Sequence, residues 1–349
     1  MATNEPLEFF IQWHLTERCN LRCRHCYQQE HIGDELPPAD IKRIAAEAAD
    51  LISEWSEAYG IAFVRSMNLA GGEPLLRRDL YDIIEDLKTR GFAVHLLTNG
   101  TLVDRVRAER LAGLGVDGVQ VSIEGPREVH DAIRGVGSFQ ASATGIERLV
   151  DAGLVVTLNV TLSRSNAGHM DRVIDFGCRS GARRIGFSRL VPAGRGRTML
   201  GEMLSREELV PLYASLLDRE LIGMELVTGD PVAGQVRNRV RAQRGDAGDI
   251  AMSGCAAAIS GLTIQSDGTL LPCRRLPVPL GNVQCDSLRE IWADSPVLEA
   301  LRDRKRYKGR CGRCTRWSLC RGCRGIAYAW SRANGGDDFL ADDPQCFIE

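Results

Sequence analysis

Short apolar runs alternate with longer amphipathic stretches from about residue 8 to residue 220. The runs Phe9–Leu15, Phe63–Leu69, Ala93–Leu97, Gly118–Ile123, Val155–Leu162 and Arg184–Ser188 predict strands. Between and after them, Pro38–Tyr59, Asp79–Arg90, Asp104–Leu114, Ser142–Ala152, His169–Arg179 and Arg206–Leu221 carry apolar residues at helical spacing. Repeated strand–helix alternation with short connections argues for parallel strands joined by right-handed crossovers. Six such units make an α/β fold, a partial (β/α)6 TIM-like barrel, with its chemistry at the C-terminal ends of the strands.

The pattern breaks around Val227–Gly254, a Gly- and Arg-rich stretch with Arg237, Arg239, Arg241 and Arg244 that predicts a solvated linker helix. Beyond it Ile259–Leu271 alternates and carries Asp267–Gly268, a hairpin turn signal. The last 95 residues hold eight of the twelve cysteines. The expected organisation is therefore a barrel over 1–225, a connector over 226–254 and a small cysteine-rich C-terminal domain over 255–349.

Composition narrows the class. With 349 residues, 44% apolar and 26% charged, the chain is globular, and a net charge of −2 gives no global argument for nucleic acid or membrane binding. No signal peptide and no apolar run of about 20 residues is evident, so a cytoplasmic protein is expected. Disulfides are rare in that compartment, which leaves metal ligation as the economical use of the cysteines.

Cys19, Cys23 and Cys26 form a CxxxCxxC run just after the first predicted strand. Three thiolates can hold three irons of a 4Fe–4S cubane and leave the fourth iron open. The same spacing also describes a helical stripe of buried cysteines, or a zinc site. Against a buried stripe, Asn20, Arg22, Arg24 and His25 are polar. The second strand ends in Ala70-Gly71-Gly72-Glu73-Pro74, where glycines permit close backbone approach and Glu73 offers a carboxylate to an ammonium group. Both motifs fall at one end of the barrel.

Together they resemble the radical S-adenosylmethionine (radical SAM) superfamily. The resemblance implies that the open iron chelates SAM, that an electron from the cluster cleaves it to methionine and a 5′-deoxyadenosyl radical, and that this radical takes a hydrogen atom from substrate. It implies that His25 packs near the adenine, that Tyr27 offers backbone contacts, and that Gly71, Gly72 and Glu73 receive the methionine amino group. Ser122, Arg134 and Asn159 become contacts to ribose or carboxylate, against the alternatives of polar strand-end caps and, for Arg134, a surface ion pair.

The C-terminal cysteines give a second signature. Cys255 is followed by twelve residues, Gly268, four residues and Cys273; then come Cys311-xx-Cys314-xxxxx-Cys320-xx-Cys323 and Cys346. With Gly281-Asn282-Val283 and Ile291-Trp292 between the halves, this is similar to the SPASM module, which carries auxiliary iron–sulfur clusters. The resemblance implies one cluster on Cys311, Cys314, Cys320 and Cys346 and another on Cys255, Cys273 and Cys323. The two-residue gap between Cys320 and Cys323 is one shorter than usual, and the upstream cysteine of fully ligated members is missing. Cys285 is one candidate to close the inner cluster; an open iron, a non-cysteine ligand, or an inner cluster that is smaller or absent are the others. Cys178 is expected as a small buried apolar residue, with a radical-quenching thiol as the alternative.

Arg189, Arg195 and Arg197 follow the sixth strand at the catalytic rim, where they either meet an anionic substrate or belong to a solvated loop. The run Arg302–Arg310 reads as a solvated helix end and loop, the alternative being a surface for an acidic partner or peptide. The resemblance implies a flavodoxin- or ferredoxin-type electron donor and a peptide or small-molecule substrate. Maturation of a ribosomally made peptide ranks first, and tetrapyrrole or other small-molecule cofactor biosynthesis second. Only 18 residues precede Cys19, so a peptide would need a separate leader-recognition protein or direct docking. A non-catalytic iron–sulfur or zinc scaffold is the third reading, and it has no use for the GGEP segment.

Overall fold

The computed structural model describes residues 6–28, 33–243 and 254–348. The six expected strands form close to their predicted bounds: β1 (Leu7–Thr16), β2 (Phe63–Gly71), β3 (Ala93–Thr98), β4 (Gly118–Ser122), β5 (Val156–Leu162) and β6 (Arg184–Arg189). They pair in parallel in chain order, and a short β7 (Glu225–Val227) continues the series beside β6. Helices α1 (Pro38–Tyr59), α2 (Leu80–Thr89), α3 (Arg105–Gly113), α4 (Arg127–Arg134), α5 (Ser138–Asp151), α6 (Arg164–Ala167), α7 (Met170–Arg179) and α8 (Arg206–Leu217) connect them. Proline at the first position of α1 supplies a helical φ where no N–H partner exists, and Gly60 ends the helix in the left-handed region (φ 61°).

Helices α4 and α6 were not foreseen. At eight and four residues, neither is long enough for apolar periodicity to register. Cys178 departs from expectation: it is exposed on α7, because the neighbouring Ile174 and Gly177 take the buried face.

After α9 (Pro231–Gln243) the chain returns to the barrel. Strand β8 (Gly261–Ile264) lies parallel to β1 on the side away from β2, and β9 (Thr269–Leu271) and β10 (Gly281–Asn282) follow antiparallel. The sheet order is β10-β9-β8-β1-β2-β3-β4-β5-β6-β7, an open partial barrel. The predicted turn forms, with Gly268 at φ 87° and the Thr269 N–H donating to Asp267 Oδ1 at 2.9 Å. Helices α10 (Leu288–Asp294), α11 (Pro296–Arg302), α12 (Gly309–Arg313) and α13 (Arg324–Ala333) complete the cysteine-rich part.

One apolar core spans both parts: Phe9 of β1 meets Trp55 of α1 and Trp292 of α10 edge-on, each at 5.1 Å. The expected boundaries near 225 and 254 thus mark a change of composition, while sheet and core run across them. The connector also differs from a solvated linker, since α9 buries Val232, Ala233, Gln235 and Val236. Arg239 on it is exposed, and Arg244 lies outside the described residues. Among the described residues no helix is long and apolar enough to cross a membrane.

Candidate active site

Residues 17–28, after β1, form no helix, which removes the buried helical stripe as an account of Cys19, Cys23 and Cys26. Three neighbours fix this loop. The Gly72 N–H donates to Thr16 O and the Glu73 N–H to Arg18 O, both at 2.8 Å. The Arg24 N–H donates to Ile133 O at the end of α4 (2.8 Å). From the segment after β6, the Gly196 N–H donates to Cys26 O and Arg195 Nε to Cys23 O, both at 3.0 Å. The two glycines after β2 are required here sterically. A Cβ on Gly71 would meet Thr16 O, and one on Gly72 would meet Arg18 O, each at 2.2 Å. Gly71 also sits at φ 134°.

Cys19 is exposed, Cys26 half-buried and Cys23 buried, and all three line one cavity of about 850 Å³ at the C-terminal ends of the strands. N–H groups point at the sulfurs: Leu21 N lies 3.4 Å and Asn99 Nδ2 4.0 Å from Cys19 Sγ, and Arg134 Nη1 lies 3.8 Å from Cys23 Sγ. Burial raises the Cys19 and Cys23 thiol pKa values, and Arg134 pulls Cys23 back towards the thiolate. Three soft donors on one loop, with N–H groups aimed at their sulfurs, suit an iron–sulfur cluster.

A buried ionic knot lies behind the loop. Glu124, fully buried just past β4, accepts from Arg134 Nη2 (2.6 Å), Arg134 Nε (2.9 Å) and the Thr161 N–H (2.8 Å), and lies 3.1 Å from His25 Nε2. Despite burial, Arg134 and His25 hold its carboxyl well below the usual range. Arg134 is therefore no surface ion pair. His25 lines the cavity, and its buried Nδ1 has no hydrogen-bond partner among the described residues. Ser122 and Asn159 are register partners on β4 and β5 and share the cavity wall with Tyr27, Gly71 and Gly72.

Glu73 departs from expectation. Its carboxylate is fully buried beneath the cavity rather than on its wall, where it accepts from Thr98 Oγ1 (2.8 Å), the Asn99 N–H (2.8 Å) and the Leu75 N–H (3.1 Å). It ties the end of β2 to the end of β3, which leaves the backbone of the motif, not this side chain, to face a ligand. Sequence reasoning missed Glu124 and Asn99. A lone acid between Ile123 and Gly125 at the end of an apolar strand was the available signal, because a buried carboxylate needs either a cation or several hydrogen-bond donors.

The segment after β6 divides: Arg197 is exposed, as in a solvated loop, whereas Arg195 lines the cavity. Arg189 is 1% exposed and bonds Asp230 and Asp343, each at 2.8 Å, joining β6 to the start of α9 and to the C-terminal loop. Gly194 and Gly196 pack against the backbone of the Cys23–Gln28 stretch.

Cys311, Cys314, Cys320 and Cys346 line a second cavity of about 190 Å³. Cys255 and Cys273, both half-buried, and the buried Cys323 form a separate group whose charges raise one another's pKa, with burial the larger cause. Cys320 is pushed up to about 12 and Cys323 to about 11, so both stay protonated until a metal displaces the proton. The short gap between them is spanned by Arg321 and Gly322, both at φ 61°, a left-handed turn that sends Cys320 to one group and Cys323 to the other. The Cys323 N–H donates to Asp343 Oδ2 at 2.8 Å. Cys285 stands apart: it is exposed, bonded to Asn282 O, and lies at the turn end of the hairpin, whereas Cys273 lies beyond the opposite end of β9.

A family model described as the radical SAM superfamily matches residues 13–177, and one for SPASM, an iron–sulfur cluster-binding domain, matches residues 255–324. The chain is 30% identical over 357 residues to an AdoMet-dependent heme synthase of Nitratidesulfovibrio vulgaris, covering 99% of this chain and 94% of that protein. It is 29% identical over 323 residues to the mycofactocin maturase MftC of Mycobacterium tuberculosis, covering 89% and 77%. Streptococcus suis SuiB bound to S-adenosylmethionine superposes with a TM-score of 0.74 at 18% identity, over 98% of this chain and 78% of that one, a likeness of fold.

Proposed function

The chain belongs to the radical SAM superfamily and carries a C-terminal SPASM iron–sulfur module, and from that premise we propose that it modifies a carboxylate-bearing small molecule of the tetrapyrrole class. It is an enzyme whose cofactors are a 4Fe–4S cluster, SAM and auxiliary iron–sulfur chemistry. On our reading Cys19, Cys23 and Cys26 hold the first cluster. Cys311, Cys314, Cys320 and Cys346 hold an auxiliary one, and Cys255, Cys273 and Cys323 hold an inner one with a position not filled by cysteine. When bound, cluster and SAM supply one-electron cleavage of the sulfonium and hydrogen-atom abstraction from substrate.

The protein's own groups prepare that chemistry. Leu21 and Asn99 direct N–H groups at Cys19 Sγ, and Arg134 directs one at Cys23 Sγ, which would favour the thiolates a cluster needs. Glu124 holds Arg134 and His25 in fixed orientation, and Ser122 and Asn159 offer polar atoms on the facing wall. Arginines outnumber carboxylates on the cavity wall: Arg18, Arg134 and Arg189 are paired with Glu35, Glu124 and Asp230, while Arg22, Arg195, Arg274 and Arg275 add further guanidinium groups against Glu17 and Asp34, and this excess is the observation that carries the substrate reading. The heme synthase relative, matched along nearly its whole length, supports it. A ribosomal peptide is the second reading, favoured by the likeness to the mycofactocin maturase. Twelve free cysteines support a cytoplasmic location with a flavodoxin- or ferredoxin-type donor; on the peptide reading a leader-recognition partner is added.

The test is anaerobic reconstitution with iron and sulfide, then dithionite and SAM. Production of 5′-deoxyadenosine is expected, and iron-replete protein that never makes it refutes the catalytic reading. Deuterium transfer into 5′-deoxyadenosine from a labelled tetrapyrrole tetraacid, and none from a labelled peptide, separates the two substrate readings.

A further inference from the structure

Buried arginines elsewhere in the chain have partners. Arg77 bonds Asp79 (2.8 Å), Arg134 bonds Glu124 (2.6 Å), Arg189 bonds Asp230 and Asp343 (2.8 Å each), and Arg324 bonds the carbonyls of Phe339 and Ala341. Arg274 and Arg275, just past Cys273, differ. Both are partly buried, and among the described residues neither makes an ion pair with a carboxylate. Arg274 Nη1 donates to the neutral Gln12 Oε1 at 3.0 Å, and its guanidinium lies 5.9 Å from the Tyr27 ring centre. Arg275 Nε is buried with no hydrogen-bond partner among the described residues.

The two side chains stand where two spaces meet. Both line the cavity that carries Cys19, Cys23 and Cys26, and both line a recess of about 260 Å³ beside it, bounded by His14, Leu271 and Pro277. Glu17 also borders both spaces but faces His14 Nδ1 at 3.8 Å rather than either arginine. Adjacent guanidinium groups drawn out of water without an anion repel each other and forfeit hydration. A carboxylate between them removes both costs and can accept hydrogen bonds from each planar fork.

We propose that Arg274 and Arg275 anchor a substrate carboxylate, so that the substrate enters from the side of the C-terminal hairpin and presents its reacting carbon to the cysteine loop. The proposal rests on the reading of the substrate as a carboxylate-bearing small molecule. Its rival is that the pair only balances thiolates at Cys273 and Cys323; the Arg275 backbone N–H lies 3.5 Å from Cys273 Sγ.

Two measurements decide. Cluster-reconstituted protein is treated with phenylglyoxal and the modified arginines are mapped by mass spectrometry, with glutarate or its uncharged dimethyl ester present. Glutarate should slow labelling of Arg274 and Arg275 severalfold, the ester should not, and labelling of the exposed Arg105 should be unchanged. In parallel, binding of coproporphyrin III tetraacid and its tetramethyl ester is titrated by absorbance. Arg275→Gln should weaken the tetraacid by about tenfold to hundredfold, the loss of one charge-assisted hydrogen bond, and leave the ester unchanged. Arg275→Lys should fall between, since charge without the fork recovers part of the contact. Absence of glutarate protection together with unchanged tetraacid affinity overturns the proposal. So does loss of the auxiliary-cluster electron paramagnetic resonance signal in Arg275→Gln with tetraacid affinity intact, which assigns the pair to the thiolates. Glutarate protection in a protein that binds neither porphyrin sinks the tetrapyrrole reading and upholds the carboxylate anchor.

Discussion

Replacing Gly72 by alanine tests whether the glycines after β2 serve the cysteine loop or a ligand. The added Cβ would lie 2.2 Å from Arg18 O and 2.7 Å from Glu17 O, backbone atoms with no side chain to swing aside. Relief requires the two backbones to part by about 1 Å, an overpacking change that costs roughly 1–3 kcal/mol. The same movement breaks the 2.8 Å bond from the Glu73 N–H to Arg18 O, at about 1 kcal/mol more. Arg18 precedes Cys19, so the displacement passes directly to a thiol, and an error of this size can lower a rate by about a hundredfold. Iron and sulfide per chain, denaturant stability and the rate of 5′-deoxyadenosine formation should all fall. Gly113→Ala is the comparison, because nothing lies within 4 Å of its Cβ position inside α3. That change should be neutral or add about 0.5–1 kcal/mol. A Gly72→Ala protein with full iron and native stability but weakened SAM binding would refute the packing argument and return the glycine to the ligand.

Glu124→Gln leaves Arg134 buried without its anion and should cost about 3–5 kcal/mol by denaturant unfolding; adding Arg134→Met should recover part of that, and additive losses would count against the pair. Cys19→Ala should abolish SAM cleavage, whereas Cys346→Ala should lower iron content and product formation more than SAM cleavage; equal loss of both activities contradicts separate cluster roles. His130 is fully buried, its Nδ1 accepts the Glu124 N–H at 3.2 Å, and burial, then Arg134, pushes its pKa down to about 4. The unfolded chain therefore binds a proton near pH 6.5 that the folded chain refuses until pH 4. Stability should fall as pH drops through this window, by roughly 3 kcal/mol in all, with no effect above pH 7. His130→Asn should flatten the slope between pH 6.5 and pH 4, and an unchanged slope excludes His130 as its source.

The parallel strands, the larger helices of the barrel and the two cysteine signatures were legible along the chain, whereas the ten-residue α13 was not. Each is a local pattern: period and run length reveal buried strands and amphipathic helices, and ligand spacing survives any loop conformation. Helices as short as α4 and α6 leave no periodic trace. The destinations of individual side chains were not local. Glu73 turned away from the cavity because Thr98, Asn99 and Leu75 converge on it from the turn and the neighbouring strand. Arg189 and Arg134 found carboxylates 41 and 10 residues away, and Cys178 faced solvent because α7 buries the positions beside it. The seam between barrel and cysteine-rich part was hidden for the same reason. Strand β8 is recognisable as a strand, but pairing with β1 across some 250 residues is decided only when both edges compete for partners in the folded chain. Charge follows that logic too, since four arginines in a sequence look alike, and only tertiary packing leaves Arg274 and Arg275 beside a cavity with no carboxylate ion pair among the described residues.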